Sequence, residues 1–237
     1  MGQERLTIPT GTNRLAAVLQ LPEGCPGPWP CVVTLHGLMS SKDSDKYILI
    51  GEEFARCGIA VCRFDFRGCG ESDGTVSETT VAQRVADALA VVRTMREHPN
   101  LGDRVALLGS SLGAYVALFV AGADLRIKAV AAWATPADLE DLAAAPATVR
   151  DYDLGEPFLK ELAAGKHLRA PVGVRYCLFV HGDQDELVPV SHAQRLYAAA
   201  PSPRRLEVIP GGNHQLTDPA HRRRAVELSL EWIGGYI

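Results

Sequence analysis

The sequence lacks features that would place the protein among membrane or nucleic-acid-binding proteins. None of its 237 residues stand in an apolar run as long as a transmembrane helix, and the start, MGQERLTIPT, has no signal-peptide core. Basic residues are not in excess, because 24 Lys and Arg stand against 28 Asp and Glu, for a net charge of −4. We therefore expect a cytoplasmic protein that neither enters membranes nor binds nucleic acid. The basic run Arg222–Arg224 is predicted to be a solvated helix face.

The six cysteines include no Cys-x-x-Cys pair, the spacing typical of zinc sites and redox dithiols. Because no export signal is present, we expect no disulfide bonds. Cys31, Cys62 and Cys177 stand in apolar runs and are predicted to be small core residues. Cys69 stands in a glycine-rich segment, and we expect its thiol to be the accessible one.

What the sequence does contain is an alternation of strand-length apolar runs and helix-length segments. The nearly continuous apolar character of the central runs is typical of strands buried on both faces of a parallel sheet. We predict a single α/β domain over residues 1–237, with a doubly wound, mostly parallel eight-stranded sheet and helices on both faces. Strands are predicted at Leu6–Ile8, Leu15–Leu21, Cys31–Leu35, Ile59–Phe64, Val105–Leu108, Ala129–Trp133, Tyr176–Val180 and Leu206–Ile209. Helices are predicted at Asp45–Cys57, Glu78–His98 (capped by Ser77), Leu112–Ala123, Ser191–Ala200 and Pro219–Ile233.

Residues 136–171 interrupt this alternation. The segment has four prolines and two short helix-like pieces, at Ala137–Ala145 and Pro157–Ala164, but no strand pattern. Tyr152 and Phe158 are its main aromatic residues. We predict that it is a short helical lid at the carboxyl edge of the sheet. The alternative is an ordinary pair of connecting helices with no role in binding.

The most informative motif is Gly109-Ser110-Ser111-Leu112-Gly113, between a strand-like run and a helix-like run. A strand, a sharp turn and a helix are the setting of the Gly-x-Ser-x-Gly nucleophile elbow. The turn brings backbone segments close together, so its flanking positions favour glycine. Ser111 is therefore predicted to be a nucleophile for acyl transfer, and Ser110 a small packing residue.

A serine nucleophile needs a histidine base and a carboxylate that orients the histidine. After the strand Tyr176–Val180 three carboxylates compete for the second role. We favour Asp185, on the far side of a turn at the carboxyl edge. Asp183 is expected to stabilise that turn through Asx bonding, and Glu186 to be solvated.

The candidate base is His214, which stands on a glycine-rich loop between the last predicted strand and the last helix. The histidines His192 and His221 lie near helix starts and are expected to be exposed. His36 follows the third strand, and we expect it to brace its loop by hydrogen bonding. The oxyanion of an acyl-transfer intermediate would be held by the backbone N–H groups of Leu38 and Leu112.

These motifs, taken in order, resemble those of the α/β-hydrolase superfamily over essentially the whole chain. They are His36-Gly37, the run Asp65–Ser72, the elbow, Gly182-x-x-Asp185-x-x-Val188-Pro189, and Gly212-Asn213-His214. The resemblance implies a triad of Ser111, Asp185 and His214. The stretches 36–43 and 63–74 are further similar to bacterial feruloyl and cinnamoyl esterases, which implies hydroxycinnamoyl or other aryl esters as substrates.

We therefore expect a serine carboxylesterase that acts on small-to-medium esters without a metal or an organic cofactor. A thioesterase, a lipase-like enzyme, or a peptidase or amidase of the same fold is the alternative within enzymes. A noncatalytic binding protein on this fold is the alternative outside them. The expected partner is a small-molecule ester, and the choice between a monomer and a homodimer stays open. Trp133 is equally compatible with lining the pocket and with filling the core.

Overall fold

The computed structural model describes residues 2–144 and 151–237, which form one eight-stranded sheet flanked by helices. The strands are β1 (Gly2–Thr10), β2 (Asn13–Leu21), β3 (Trp29–Leu35), β4 (Ala60–Phe64), β5 (Leu101–Ser110), β6 (Val130–Trp133), β7 (Cys177–Gly182) and β8 (Arg204–Ile209). The helices are α1 (Asp45–Arg56), α2 (Val81–Glu97), α3 (Leu112–Ala123), α4 (Glu140–Ala144), α5 (Glu156–Ala163), α6 (Ser191–Ala199) and α7 (Pro219–Gly234).

The strand order is β1-β2-β4-β3-β5-β6-β7-β8. The β1–β2 and β2–β4 pairs are antiparallel, and all later neighbours are parallel. The predicted doubly wound, mostly parallel sheet is therefore confirmed. Because β3, β5, β6, β7 and β8 run in one direction, the loops after them meet at one edge of the sheet, where ligands bind in folds of this kind.

Both faces of the sheet are covered, as the wholly buried central strands require. One face packs against α2, α3, α5 and α6, through residues such as Val91, Val116 and Phe158. The other packs against α1 and α7, through residues such as Phe54 and Ile233. Cys31, Cys62 and Cys177 are buried as predicted. Within the described residues no helix is both long and apolar enough to cross a membrane.

The start of α2 differs from the prediction. Ser77 lies in a short 3-10 turn over Val76–Glu78 and does not cap the helix. Thr80 is the N-cap instead, and its side chain accepts a hydrogen bond from the Gln83 N–H at 3.0 Å. The backbone between the turn and the helix is extended, so the helix begins three residues later than the apolar spacing indicated.

The inserted segment 136–171 contains the two short helices that the sequence indicated, α4 and α5. Residues 145–150, including the predicted end of the first piece, lie outside the described residues. Phe158 of α5 is fully buried and packs in the main core. The Glu161 carboxylate accepts hydrogen bonds from the N–H groups of Val81 and Ala82, at 2.6 and 2.9 Å. The insertion is thus tied to the first turn of α2.

Candidate active site

The turn between β5 and α3 places Ser111 in a backbone conformation that few residues adopt. Its φ is 57° and its ψ is −128°. A Cβ on Gly109 would lie 2.6 Å from the Ala114 backbone, and a Cβ on Gly113 would overlap the Leu35 carbonyl oxygen. Both flanking glycines are therefore required by close backbone approach, as the elbow motif predicts.

The structure brings Ser111, His214 and Asp185 together in one line of hydrogen bonds. His214 Nε2 lies 3.0 Å from Ser111 Oγ. His214 Nδ1 lies 2.9 Å from both carboxylate oxygens of Asp185. The three residues follow β5, β8 and β7 respectively, so the parallel sheet delivers them to the same edge from distant parts of the chain.

Asp185 is held in place by several donors. Its Oδ1 accepts from the N–H groups of Leu187 and Val188, at 3.0 and 2.8 Å. His181 Nε2 lies 3.2 Å from Oδ2. Burial acts to raise the pKa of Asp185, but the hydrogen bonds from His181, His214 and Val188 outweigh it and hold the pKa well below its usual range. The carboxylate is therefore charged when it faces His214. His181 was not singled out from the sequence, although it stands four residues before Asp185.

The loop after β7 and the loop after β8 are locked together. A Cβ on Gly182 would overlap the Gly212 carbonyl oxygen. Asp183 does not make the local Asx bond that we predicted, because its Oδ1 accepts from the Gly211 N–H across the gap at 2.7 Å. Glu186 is exposed but not merely solvated, since it accepts from the His214 N–H at 3.2 Å. Both neighbouring carboxylates thus position the histidine loop.

The loop after β3 passes directly beside the serine. A Cβ on Gly37 would lie 3.2 Å from Ser111 Cβ. Leu38 and Leu112, whose N–H groups are the candidate oxyanion donors, line the cavity that contains Ser111. His36 makes the bracing contacts that we expected, because its Nε2 accepts from the Phe66 N–H at 3.1 Å and its Nδ1 donates to the Gly37 carbonyl at 2.8 Å.

The cavity has a volume of about 960 Å³. Its walls combine the loops at the sheet edge with the inserted segment. Tyr152 lines it, whereas Phe158 does not and belongs to the core. The insertion contributes Pro136, Asp138, Leu139, Asp141, Leu142 and Tyr152.

Two basic residues at the cavity were not anticipated. Arg222, predicted to lie on a solvated face, is half-buried and lines the cavity, while Arg223 and Arg224 are exposed. Lys46 lines it too, and its Nζ donates to Ser110 Oγ at 3.1 Å. Ser110 is buried, as expected of a packing residue, but it also accepts this hydrogen bond.

Three other expectations are settled by burial. Trp133 is a core residue, with its Nε1 donating to Ser229 Oγ at 2.8 Å. His192 is half-buried rather than exposed, because its Nδ1 accepts from the Ala137 N–H at 3.0 Å and so fixes the start of the insertion. The expectation for Cys69 was wrong: its thiol is partly buried beside Arg84, and the exposed cysteines are Cys25 and Cys57.

Comparisons with known proteins give a family match and several relatives. The family model described as serine aminopeptidase S33 matches residues 27–151. YfhR of Escherichia coli K12 is 34% identical over 156 residues, 65% of this chain and 52% of YfhR, so the chain spans about half the length of this relative. Mouse mitochondrial palmitoyl-protein thioesterase ABHD10 is 28% identical over 219 residues, 82% of this chain and 72% of the relative.

A solved structure extends the likeness to the whole fold. Est1E of Butyrivibrio proteoclasticus, determined with ferulic acid bound, matches with a TM-score of 0.83 at 23% identity. The match covers 97% of this chain and 99% of Est1E. At this identity the likeness shows the fold alone.

Proposed function

This chain belongs to the serine aminopeptidase S33 family of α/β hydrolases, and from that premise we propose that it is a serine carboxylesterase acting on small-to-medium esters. The observation that carries the proposal is the line of contacts from Ser111 Oγ to His214 and on to Asp185, at 3.0 and 2.9 Å. A hydroxyl, an imidazole and a buried carboxylate in this order are what general-base activation of a serine requires.

In the proposed acylation step, Ser111 Oγ attacks the ester carbonyl while His214 Nε2 takes its proton. Asp185 accepts the Nδ1 hydrogen bond, which fixes the tautomer and stabilises the imidazolium that forms. The oxyanion accepts hydrogen bonds from the N–H groups of Leu38 and Leu112, the latter at the start of α3, where helix donors have no partner within the helix. His214 then protonates the departing alkoxide.

In deacylation the same groups act on water. His214 Nε2 takes a proton from a water molecule, which attacks the acyl carbonyl, and the proton passes to Ser111 Oγ as the acid leaves.

The cavity of about 960 Å³ has room for both parts of a small or medium ester. Its apolar wall includes Leu38, Leu139, Leu142 and Tyr152, which suits an alkyl or aryl group.

A thioesterase is the second candidate, because the matched relative ABHD10 is described as a palmitoyl-protein thioesterase. The same serine chemistry cleaves both bonds, so the distinction is one of rate. An O-ester and an S-ester with the same acyl and leaving chains would measure it. A matching amide would test the peptidase activity that the family description names.

The first experiment is labelling with a fluorophosphonate probe, followed by intact-mass analysis and peptide mapping. We expect one adduct, on Ser111 rather than Ser110, that is lost in His214→Ala. Ester hydrolysis should fall by on the order of a thousand-fold or more in Ser111→Ala and in His214→Ala. Ser77→Ala and His98→Ala, which lie outside the cavity, are the matched controls.

An unlabelled, correctly folded protein would favour the noncatalytic binding protein. Hydrolysis that survives Ser111→Ala in pure protein would contradict the proposed mechanism directly. Loss of activity in the control variants as well would point to damage of the fold rather than to the triad. Circular dichroism of each variant separates that case from the others.

A further inference from the structure

Lys46 and Arg222 place two positive charges on the wall of the cavity that contains Ser111. Lys46 is the second residue of α1, and Arg222 lies in the first turns of α7. Their contacts within the described residues are with neutral groups: Lys46 Nζ with Ser110 Oγ at 3.1 Å, and Arg222 Nε with the Leu216 carbonyl at 3.2 Å. Neither forms an ion pair there with a carboxylate, although burial makes an unpaired charge costly.

The two cations repel each other. Burial, followed by the repulsion of Arg222, lowers the pKa of Lys46 to about 8. Lys46 is thus mostly charged at neutral pH in a setting that disfavours its charge. A bound anion would offset both effects, because it supplies the opposite charge and accepts hydrogen bonds from the desolvated donors.

Ser44 contributes a third donor to the same cavity. Ser44 is the residue before α1, and its hydroxyl does not cap the helix. Its Oγ is buried without a hydrogen-bond partner in the described part of the chain, and Ser44 lines the same cavity. The unbonded N–H groups at the start of α1 add a partial positive charge at this point. Ammonium, guanidinium, hydroxyl and helix start all favour an acceptor of negative charge.

We propose that Ser44, Lys46 and Arg222 form a subsite that binds a carboxylate carried by the substrate. This inference rests on the proposed function and narrows it to esters of a dicarboxylic acid or of a carboxylated alcohol. A single carboxylate suits the cavity better than a phosphate, because three carboxylates line it as well and oppose higher negative charge: Asp45 in the first turn of α1, and Asp138 and Asp141 on the inserted segment. Asp138 is itself partly neutralised by Arg195, at 2.8 Å.

The test uses two esters that differ only in charge: the mono-4-nitrophenyl ester of adipic acid, and the same compound with its free carboxylate methylated. We expect wild-type kcat/KM to be on the order of ten-fold higher for the charged ester. This ratio should fall toward one in Lys46→Met and in Arg222→Gln, which remove the positive charge and keep an unbranched hydrocarbon stem. Arg223→Gln, one residue away and exposed, is the control and should keep the wild-type ratio.

A second matched pair, 4-carboxyphenyl hexanoate and its methyl ester, places the carboxylate on the leaving group. A charge preference for one pair shows on which side of the scissile bond the subsite lies. Competition by hexanoate, which carries a single carboxylate, should exceed competition by inorganic phosphate at equal concentration. Equal competition by the two anions would overturn the assignment to a carboxylate.

Binding without turnover keeps the inference separate from the proposed function. In a Ser111→Ala background, calorimetry with the charged adipate ester should show a Kd on the order of ten-fold weaker once Lys46→Met is added. Ser111-dependent hydrolysis of the neutral ester with no charge preference would retain the esterase and discard the subsite. Charge-dependent binding by a protein that hydrolyses neither ester would discard the esterase and retain the subsite.

Discussion

At the scale of single residues, His36 shows how burial fixes a charge state. Burial, and next the nearby Arg84 guanidinium, lower the pKa of His36 from 6.5 to about 3. Between these two values the ring is neutral in the folded protein and protonated in the unfolded chain. Because the unfolded chain binds the additional proton, the free energy of unfolding falls as the pH falls from about 6.5 toward 3.

We therefore predict that His36→Gln flattens the pH dependence of stability. A glutamine oxygen can still accept from the Phe66 N–H, but it does not titrate. The loss of unfolding free energy between pH 6.5 and pH 4.5 should be smaller in the variant by roughly 1–3 kcal/mol. Urea denaturation at four or five pH values measures it. If the free energy of unfolding depended on pH in the same way in both proteins, His36 would not be the titrating group. This conclusion would hold even if the variant were less stable than the wild type at neutral pH.

The site residues that could be predicted from the sequence are those that stand in a recognisable local motif. Ser111 and His214 each follow a recognisable strand and turn, and Asp185 stands at a fixed distance past Gly182. Lys46 and Arg222 were missed because nothing in their own segments differs from a solvated helix start. Their position at the cavity arises only when α1 and α7 pack side by side on the sheet.

At the scale of elements, the active site depends on how closely two loops approach. Gly182 ends β7, and a Cβ there would overlap the Gly212 carbonyl in the loop that carries His214. Gly182→Ala should therefore push Asp185 and His214 apart and lower kcat by about 100-fold or more, as small misplacements do. Gly234→Ala, where a Cβ meets nothing within 4 Å, is the control. Steady-state kinetics with a neutral ester would measure the fall in kcat. A wild-type kcat in Gly182→Ala would mean that the two loops accommodate the added Cβ without separating Asp185 and His214.

The sheet and its main helices were predictable because their apolar periodicity agrees with their burial. All eight strands lie where apolar runs predicted them, and α3 has the predicted bounds, Leu112–Ala123. The inserted segment was harder, because its placement relies on contacts with distant elements. The Glu161 carboxylate accepts a hydrogen bond at the start of α2, and the Ala137 N–H donates one to His192. Contacts of this kind between distant residues produce no periodic pattern in the sequence.

At the scale of the whole molecule, the question is whether the insertion folds with the domain or as a separable lid. Phe158 of α5 is fully buried and belongs to the same apolar cluster as β5 and α3. Leu154 and Leu162 are buried in that cluster as well. The insertion and the sheet thus share one core, and any opening at the cavity has to leave these contacts intact or break them at a cost.

We predict that Phe158→Ala lowers the stability of the entire domain, and not only that of the insertion. Truncating a fully buried phenylalanine costs about 3–5 kcal/mol, so one cooperative urea transition should shift to lower denaturant. Lys160→Ala, exposed on the same helix, should change stability by less than about 0.5 kcal/mol. Limited proteolysis under native conditions tests separately whether the insertion unfolds on its own. If Phe158→Ala left the urea midpoint unchanged while cleavage appeared within the insertion, the segment would be a locally unfolding lid, because its core contacts would then contribute nothing to the stability of the sheet.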